Sequence, residues 1–227
     1  MGYQLQFQSV IRSFDLLLQG ALTTVVISVI TIVCAALIGI ALAAVRVGSK
    51  GALTRIIVVY VEIIRNTPFI VQLYFIFFGL PSVGVRLGLF EAALLALIIN
   101  LSAYTIEIVR AGFESIHHGQ LEAGYSLGLS RWQVYRYIMA FPAIERVYPA
   151  LCSQFILAML GTSIVSQISV EELTGMAALI QARTYRAFET YIILAGMYIV
   201  LTFSFRYALA AIGYIIFPWR RGMKAGR

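Results

Sequence analysis

From Leu16 to Val45 the chain carries no charged side chain. A stretch that long and that apolar constrains the fold more than any motif does. The hydrocarbon layer of a bilayer is about 30 Å thick and takes roughly 20 apolar residues per helix. An isolated strand cannot satisfy its backbone in lipid, so each crossing must be a helix. Four further runs follow: one within Ile56–Leu80, its deeper part starting near Ile63, then about Leu87–Val109, Val147–Ile168 and Tyr191–Phe217. The expectation is an all-α membrane protein of about five transmembrane helices. Composition agrees, with 61% hydrophobic and 12% charged residues, against about 45–50% and 25% in soluble domains. No linker, low-complexity segment or foldable hydrophilic stretch interrupts the runs, so residues 1–227 read as one transmembrane domain. The first apolar run is too long for the core of a cleavable signal, and none is expected.

The net charge of +7 would suit a nucleic acid, but the cations sit at the ends of apolar runs rather than along one polar face. A nucleic-acid partner is therefore not expected. With five spans, one side holds twelve cations: Arg46, Lys50, Arg55, Arg65, Arg110, Arg131, Arg136, Arg146, Arg220, Arg221, Lys224 and Arg227. The other side holds four, namely Arg12, Arg86, Arg183 and Arg186, while Arg206 falls inside the fifth run. The positive side faces the cytoplasm, which puts the N-terminus outside and the C-terminus inside. Cys34 and Cys152 each lie within an apolar stretch and read as small buried hydrophobes.

The same count makes the connection between spans three and four, about Ala111–Arg146, cytoplasmic. It is the largest polar piece and reads as helix–turn–helix. Glu122, Ala123 and Gly124 start a short helix, Gly128 stops it through a left-handed cap, and Ser130 is an N-cap for a second helix. Pro142 and Pro149 mark the return into span four. The adjacent His117 and His118 point apart on a helix, so no metal site is expected.

The text Glu122-Ala123-Gly124-Tyr125-Ser126-Leu127-Gly128, nine residues, Ile138 resembles the EAA loop of bacterial ABC importer permeases, whose pattern is E-A-A-x-x-x-G, nine residues, I-x-L-P. Tyr60-Val61-Glu62-Ile63-Ile64-Arg65-Asn66-Thr67-Pro68, Ala103-Tyr104 with Glu107-Ile108-Val109-Arg110, and Glu172-Leu173-Thr174-Gly175 resemble the polar amino acid branch of that family. The likeness runs from about Leu18 to Phe217. It departs at Gly124, where the family has alanine, and at Ala140-Phe141, where the family has Leu-Pro and this chain has Pro142 one place later.

The resemblance implies a type I, binding-protein-dependent importer of polar amino acids, or of related derivatives such as opine-like compounds, in the bacterial cytoplasmic (inner) membrane. It implies a second permease subunit, separate ATPase subunits that carry ATP and Mg, and an extracytoplasmic solute-binding protein. Glu122, Ala123, Gly124, Tyr125, Leu127 and Gly128 are then the ATPase-coupling residues. Small side chains at Ala123 and Gly124 would let the helix press close to a partner, and Glu122 could meet a partner cation or cap its own helix. The chain has no P-loop of its own and is not expected to be an enzyme.

Other polar residues within the spans are candidates for the substrate path. Asn100, Tyr104 and Glu107 share one helix face; Gln154, Gly161 and Thr162 lie in span four; Arg206 is a lone intramembrane cation, by default a functional candidate. Each has an alternative reading: Asn100, Tyr104 and Gln154 could simply bond neighbouring helices, Glu107 could pair with Arg110, and Arg206 with a carboxylate. Glu62 and Arg65 are three apart and can pair, beside a kink at Pro68. Glu171-Glu172 could meet the solute-binding protein or be a solvated loop. A secondary transporter would show internal repeats and paired broken helices, which are not visible. An intramembrane enzyme would need a nucleophile–base or metal set within the spans, and both histidines lie outside them.

Overall fold

The computed structural model describes residues 4–218. Among these residues every regular element is a helix. In chain order they are α1 (Gln8–Ile11), α2 (Phe14–Gly48), α3 (Ala52–Arg65), α4 (Phe69–Ser82), α5 (Leu89–Glu114), α6 (His118–Ser126), α7 (Arg131–Ile168), α8 (Leu173–Thr184) and α9 (Ala187–Ile216). Helices α2, α5, α7 and α9 are each long and apolar enough to cross a bilayer, and α3 with α4 makes a fifth span bent by 110°. The five expected spans are therefore present. Arg220, Arg221, Lys224 and Arg227 lie outside the described residues.

The bundle is centred on α2 against α5. The buried face of α2 runs Leu17, Gly20, Thr24, Ile27, Ser28, Thr31, Ala35, Gly39 and Ala43, one helical stripe made mostly of small residues. Lipid is as apolar as leucine, so helices in a membrane gain little from hiding leucine and much from close backbone approach. Gly39 illustrates this: a Cβ there would run into the Thr105 side chain of α5. The opposite face offers Leu22, Val33 and Leu37 to the surroundings, as lipid requires.

The second span breaks where the sequence predicts, at the last turn before Pro68. Its deeper half begins at Phe69 rather than near Ile63. Three side chains donate to the carbonyls of the helix's last turn, one of which, Glu62 O, also keeps its backbone donor Asn66 N at 3.2 Å. Asn66 Nδ2 donates to Glu62 O at 2.8 Å, Thr67 Oγ1 to Ile63 O at 2.8 Å, and Gln72 Nε2 to Ile64 O at 2.8 Å. The last is the bond that the missing N–H of Pro68 would have made.

Two features differ from the sequence reading. The fourth span begins at Arg131, not near Val147, and runs unbroken to Ile168. Pro142 does not end a helix; the turn before it widens to π geometry over Val134–Ala140, which relieves the clash of the proline ring with the preceding carbonyl. Helix α8 was not expected at all. It has a readable signature: Leu173, Met176, Ala177 and Ile180 form a buried i, i+3, i+4, i+7 stripe, and Glu172 caps its start by accepting from Gly175 N at 2.8 Å. Glu172 is fully buried and also accepts from Thr24 Oγ1 at 3.3 Å and Tyr198 Oη at 3.0 Å. It is therefore neither a solvated loop residue nor a contact for an external protein; Glu171 beside it is exposed. Cys34 and Cys152, read as small buried hydrophobes, are free thiols and half-buried.

Candidate functional site: coupling hairpin and polar cavity

The hairpin of α6 and the start of α7 is built as its residues dictate. Gly128 adopts φ +77°, a conformation that costs L-residues but not glycine, and its N–H reaches Tyr125 O at 2.9 Å. Ser130 then forms a capping box with Gln133: Ser130 Oγ accepts from Gln133 N at 3.4 Å and Gln133 Oε1 accepts from Ser130 N at 2.8 Å. Arg146 Nη1 donates to Ser115 O at 2.6 Å and ties the hairpin's two ends together.

Helix α6 starts at His118, so Glu122 sits mid-helix rather than at the first turn. Glu122 therefore does not cap the helix; its carboxylate faces His118 Nδ1 at 3.3 Å. Gly124 is also placed differently from the expectation. It is buried and turned inward, and a Cβ there would collide with Ile138 Cδ1 and approach Val134 Cγ2 to 3.3 Å. Its small size serves packing within the hairpin, not contact with a partner. Glu122, Ala123, Tyr125, Leu127 and Gly128 remain outward-facing. Leu127 is 81% and Trp132 66% exposed, beside half-exposed Tyr125 and exposed Tyr137. An isolated loop gains nothing by presenting such side chains to water; a docking surface does.

At the same end of the bundle, Glu107 gathers cations from three helices. It accepts from Arg46 Nη1 of α2 at 2.8 Å and from Arg110 Nη2 of α5 at 2.5 Å, and Arg65 Nη1 of α3 lies 3.9 Å away. Arg110 also pairs with Glu114. The expected Glu107–Arg110 pair is thus present within a larger network. The Glu62–Arg65 pair is not: Glu62 Oε2 accepts from Asn66 Nδ2 at 3.1 Å, and Arg65 stacks over the Tyr104 ring at 5.7 Å. The helix break ends α3 at Arg65, and tertiary contact then outbids the i, i+3 spacing.

Between α5, α7 and the bend of the second span lies a cavity of about 280 Å³ lined by Thr67, Pro68, Asn100, Tyr104, Gln154 and Gly161, among others. Ligand cavities run from roughly 300 to 1,000 Å³, so this one suits a small solute. Four of the six path candidates meet here. At Gly161 a Cβ would find no atom within 4 Å, so the glycine enlarges the space. Thr162 is not part of the wall; it is fully buried and donates to Met159 O at 2.7 Å. Arg206 lies elsewhere, in a groove of about 610 Å³ between α7 and α9 with Tyr148 and Cys152. It forms no ion pair among the described residues, contrary to the expected carboxylate partner. Sequence reasoning missed Gln72, which joins the bend to Asn100 (Asn100 Nδ2 to Gln72 Oε1, 2.9 Å); a lone polar residue in an aromatic-rich span was its signal.

Comparison with known proteins accords with this geometry. Residues 35–213 match the model of a family described as binding-protein-dependent transport system inner membrane component. The chain is 35% identical to the glutamine transport system permease protein GlnP of Escherichia coli (strain K12) over 208 residues, 91% of this chain and 95% of that one. It is 32% identical to the nopaline transport system permease protein NocM of Agrobacterium fabrum, over 88% of this chain and 87% of that one. A crystal structure of an amino acid ABC transporter with histidines superposes with TM-score 0.86 at 36% identity, covering 93% of this chain and 99% of that one. Inward-facing structures of the MetNI methionine ABC transporter share the fold, with TM-score 0.72 at 20% identity.

Proposed function

We propose that this chain, which belongs to the family of binding-protein-dependent transport system inner membrane components, carries a small amino-acid-like solute between its helices and draws its drive from an ATPase docked on α6. It is a multi-pass permease subunit of an ABC importer of amino acids, not a catalytic enzyme; ATP hydrolysis belongs to a separate ATPase. Residues 1–227 act as one permease unit, ATP and Mg being held by the partner.

The observation that carries the docking reading is the exposed apolar surface of the hairpin, Tyr125 and Leu127 at the end of α6 and Trp132 at the start of α7, with α6 fixed from behind by Gly124 against Val134 and Ile138. A rigid hairpin with a sticky outer face transmits force: closure of the ATPase pair moves α6, and α7 runs unbroken from the hairpin to the cavity wall at Gln154 and Gly161. Ala123, Glu122 and Gly128 complete that face. Pro68, with Glu62 and Arg65 at the end of α3, forms the bend beside the cavity. Asn100, Tyr104, Gln154 and Gly161 line the path on this subunit, with Thr162 behind the wall and Arg206 outside it. ATP binding favours an outward-open state and hydrolysis resets it, a population shift between two packings.

The cation bias supports an N-terminus outside, a C-terminus inside and a cytoplasmic hairpin, in the bacterial inner membrane. Names of the relatives support a polar amino acid or opine-like derivative as solute. A second permease subunit, identical or homologous, would close the cavity's open side, and an external solute-binding protein would deliver to it. The test is purification with the ATPase, reconstitution, and a screen of amino acids for ATP-driven uptake in the presence of the binding protein. A Tyr125→Cys variant should cross-link to the ATPase and not to the binding protein. Uptake by this chain alone on an ion gradient, or cross-linking to the binding protein, would overturn the proposal.

A further inference from the structure

The bend at Pro68 sets the polarity of one wall of the cavity, through two amides. Pro68 cannot donate to Ile64 O, and an unsatisfied carbonyl within a bilayer is strongly unfavourable. Gln72, one turn into α4 and almost fully buried, fills the vacancy. Its Nε2 is surrounded by three oxygens: Ile64 O at 2.8 Å, Thr67 O at 3.1 Å and Thr67 Oγ1 at 2.8 Å. The two carbonyls carry no proton, and the Thr67 hydroxyl spends its own on Ile63 O at 2.8 Å. The NH2 end of Gln72 must therefore point at the bend, and its Oε1 must point away. That oxygen meets Asn100 at 2.9 Å, where only an N–H can satisfy it. The orientation of Asn100 follows. Its Nδ2 is committed to Gln72, and its Oδ1, which takes no donor among the described residues, is the polar atom left for the cavity that Asn100 lines.

We propose that Gln72 is a positioning residue of the translocation path, holding Asn100 so that it offers the cavity a hydrogen-bond acceptor, and that this acceptor takes the α-ammonium of the passing amino acid. The inference rests on the reading of Asn100 as part of the path. A free asparagine is indifferent, since it can turn either end toward a ligand; one held by Gln72 discriminates. A substrate group with N–H donors is welcomed, and a carboxylate at the same point meets a lone pair. Gln72 itself does not line the cavity and acts only through Asn100.

The experiment measures binding of radiolabelled protein amino acids to the purified permease–ATPase complex, without the external binding protein. Asn100→Leu should weaken binding by about 10- to 150-fold, the loss expected for one hydrogen bond to a charged group. Gln72→Leu should weaken it less, since the freed amide can still present either end. In the double variant Gln72→Leu should add no further loss, because its effect passes through Asn100. If Gln72 merely braced the bend, it would weaken binding equally in both backgrounds. Removing the α-amino group of the solute instead tests the polarity even where Gln72→Leu does not assemble. An amino acid stripped of its α-amino group, such as 4-carbamoylbutanoate in place of glutamine, should bind weakly to the parent complex and no worse to Asn100→Leu. Normal binding by Gln72→Leu beside a defective Asn100→Leu, or a loss on Asn100→Leu as large for the deaminated compound as for glutamine, overturns the inference alone. Normal binding by Asn100→Leu, or a parent complex that binds no amino acid, removes Asn100 from the path and overturns the underlying reading as well.

Discussion

Glu107→Gln should loosen the hairpin end of the bundle more than any other single charge removal. The carboxylate accepts from Arg46 and Arg110 and stands 3.9 Å from Arg65, so neutralising it leaves three cations from three helices facing one another. The side chain of Glu107 is 22% exposed and those of Arg46 and Arg110 are 16% and 23% exposed. Breaking a fully buried pair costs about 3–5 kcal/mol, and an exposed one about 0.2–1 kcal/mol. For this partly wetted network the expected cost is about 2–3 kcal/mol. At roughly 2–4 °C per kcal/mol for a chain of this size, the unfolding midpoint in detergent should fall by about 5–10 °C. Glu114→Gln is the internal control. Among the described residues Glu114 pairs with Arg110 alone, and it is 58% exposed, so its removal should cost under about 1 kcal/mol. The assay is thermal unfolding of the purified complex at low and at high salt. Salt screens the exposed pair more than the enclosed one, so the difference between the variants should survive high salt. Equal shifts for the two variants, or no shift for Glu107→Gln, would refute the claim that Glu107 joins three helices energetically.

Other expected outcomes concern the working surfaces. Leu127→Asp should abolish co-purification with the ATPase while leaving the unfolding midpoint of the permease within about 2 °C, because the residue touches solvent rather than core; retained binding would count against docking on α6. Gly161→Asp should fit, since no atom lies within 4 Å of a Cβ there, and should shift the uptake preference toward cationic amino acids; an unchanged preference would place Gly161 outside the path. Burial raises the carboxyl of Glu172 above the ordinary range, against the hydrogen bonds that oppose the shift. The folded state then holds that proton more tightly than the unfolded chain. Its stabilisation is full below the ordinary carboxylate range and is lost as pH rises through the raised value. Thermal unfolding across pH should show this decline in the parent protein and not in Glu172→Gln; the same slope in both would refute it.

The sequence by itself determined the number of crossings, since thickness of the bilayer and backbone satisfaction leave no other use for runs such as Leu16–Val45. It also determined the hairpin's turn chemistry, because Gly128 and Ser130 act through their own backbone and immediate neighbours. The break at Pro68 belongs to the same class, being a local consequence of a missing N–H. What depends on distant partners was decided only in three dimensions. Glu62 and Arg65 have the spacing of a pair, yet α3 ends between Arg65 and Pro68, and both side chains find other partners. Gly124 looked like a partner-facing residue and is a packing residue, because α6 turns that side to Ile138. Glu172 looked exposed and is buried, because α8, a helix too short to register as a span, folds back onto α2 through Leu173, Met176, Ala177 and Ile180. The first apolar run could thus be read as a membrane helix from its text alone, but which of its faces meets protein was settled by the neighbours that press against Gly39 and Thr24. Hydrophobicity sets what enters the membrane; the close fit of small residues and the pairing of the few polar ones set the arrangement inside it.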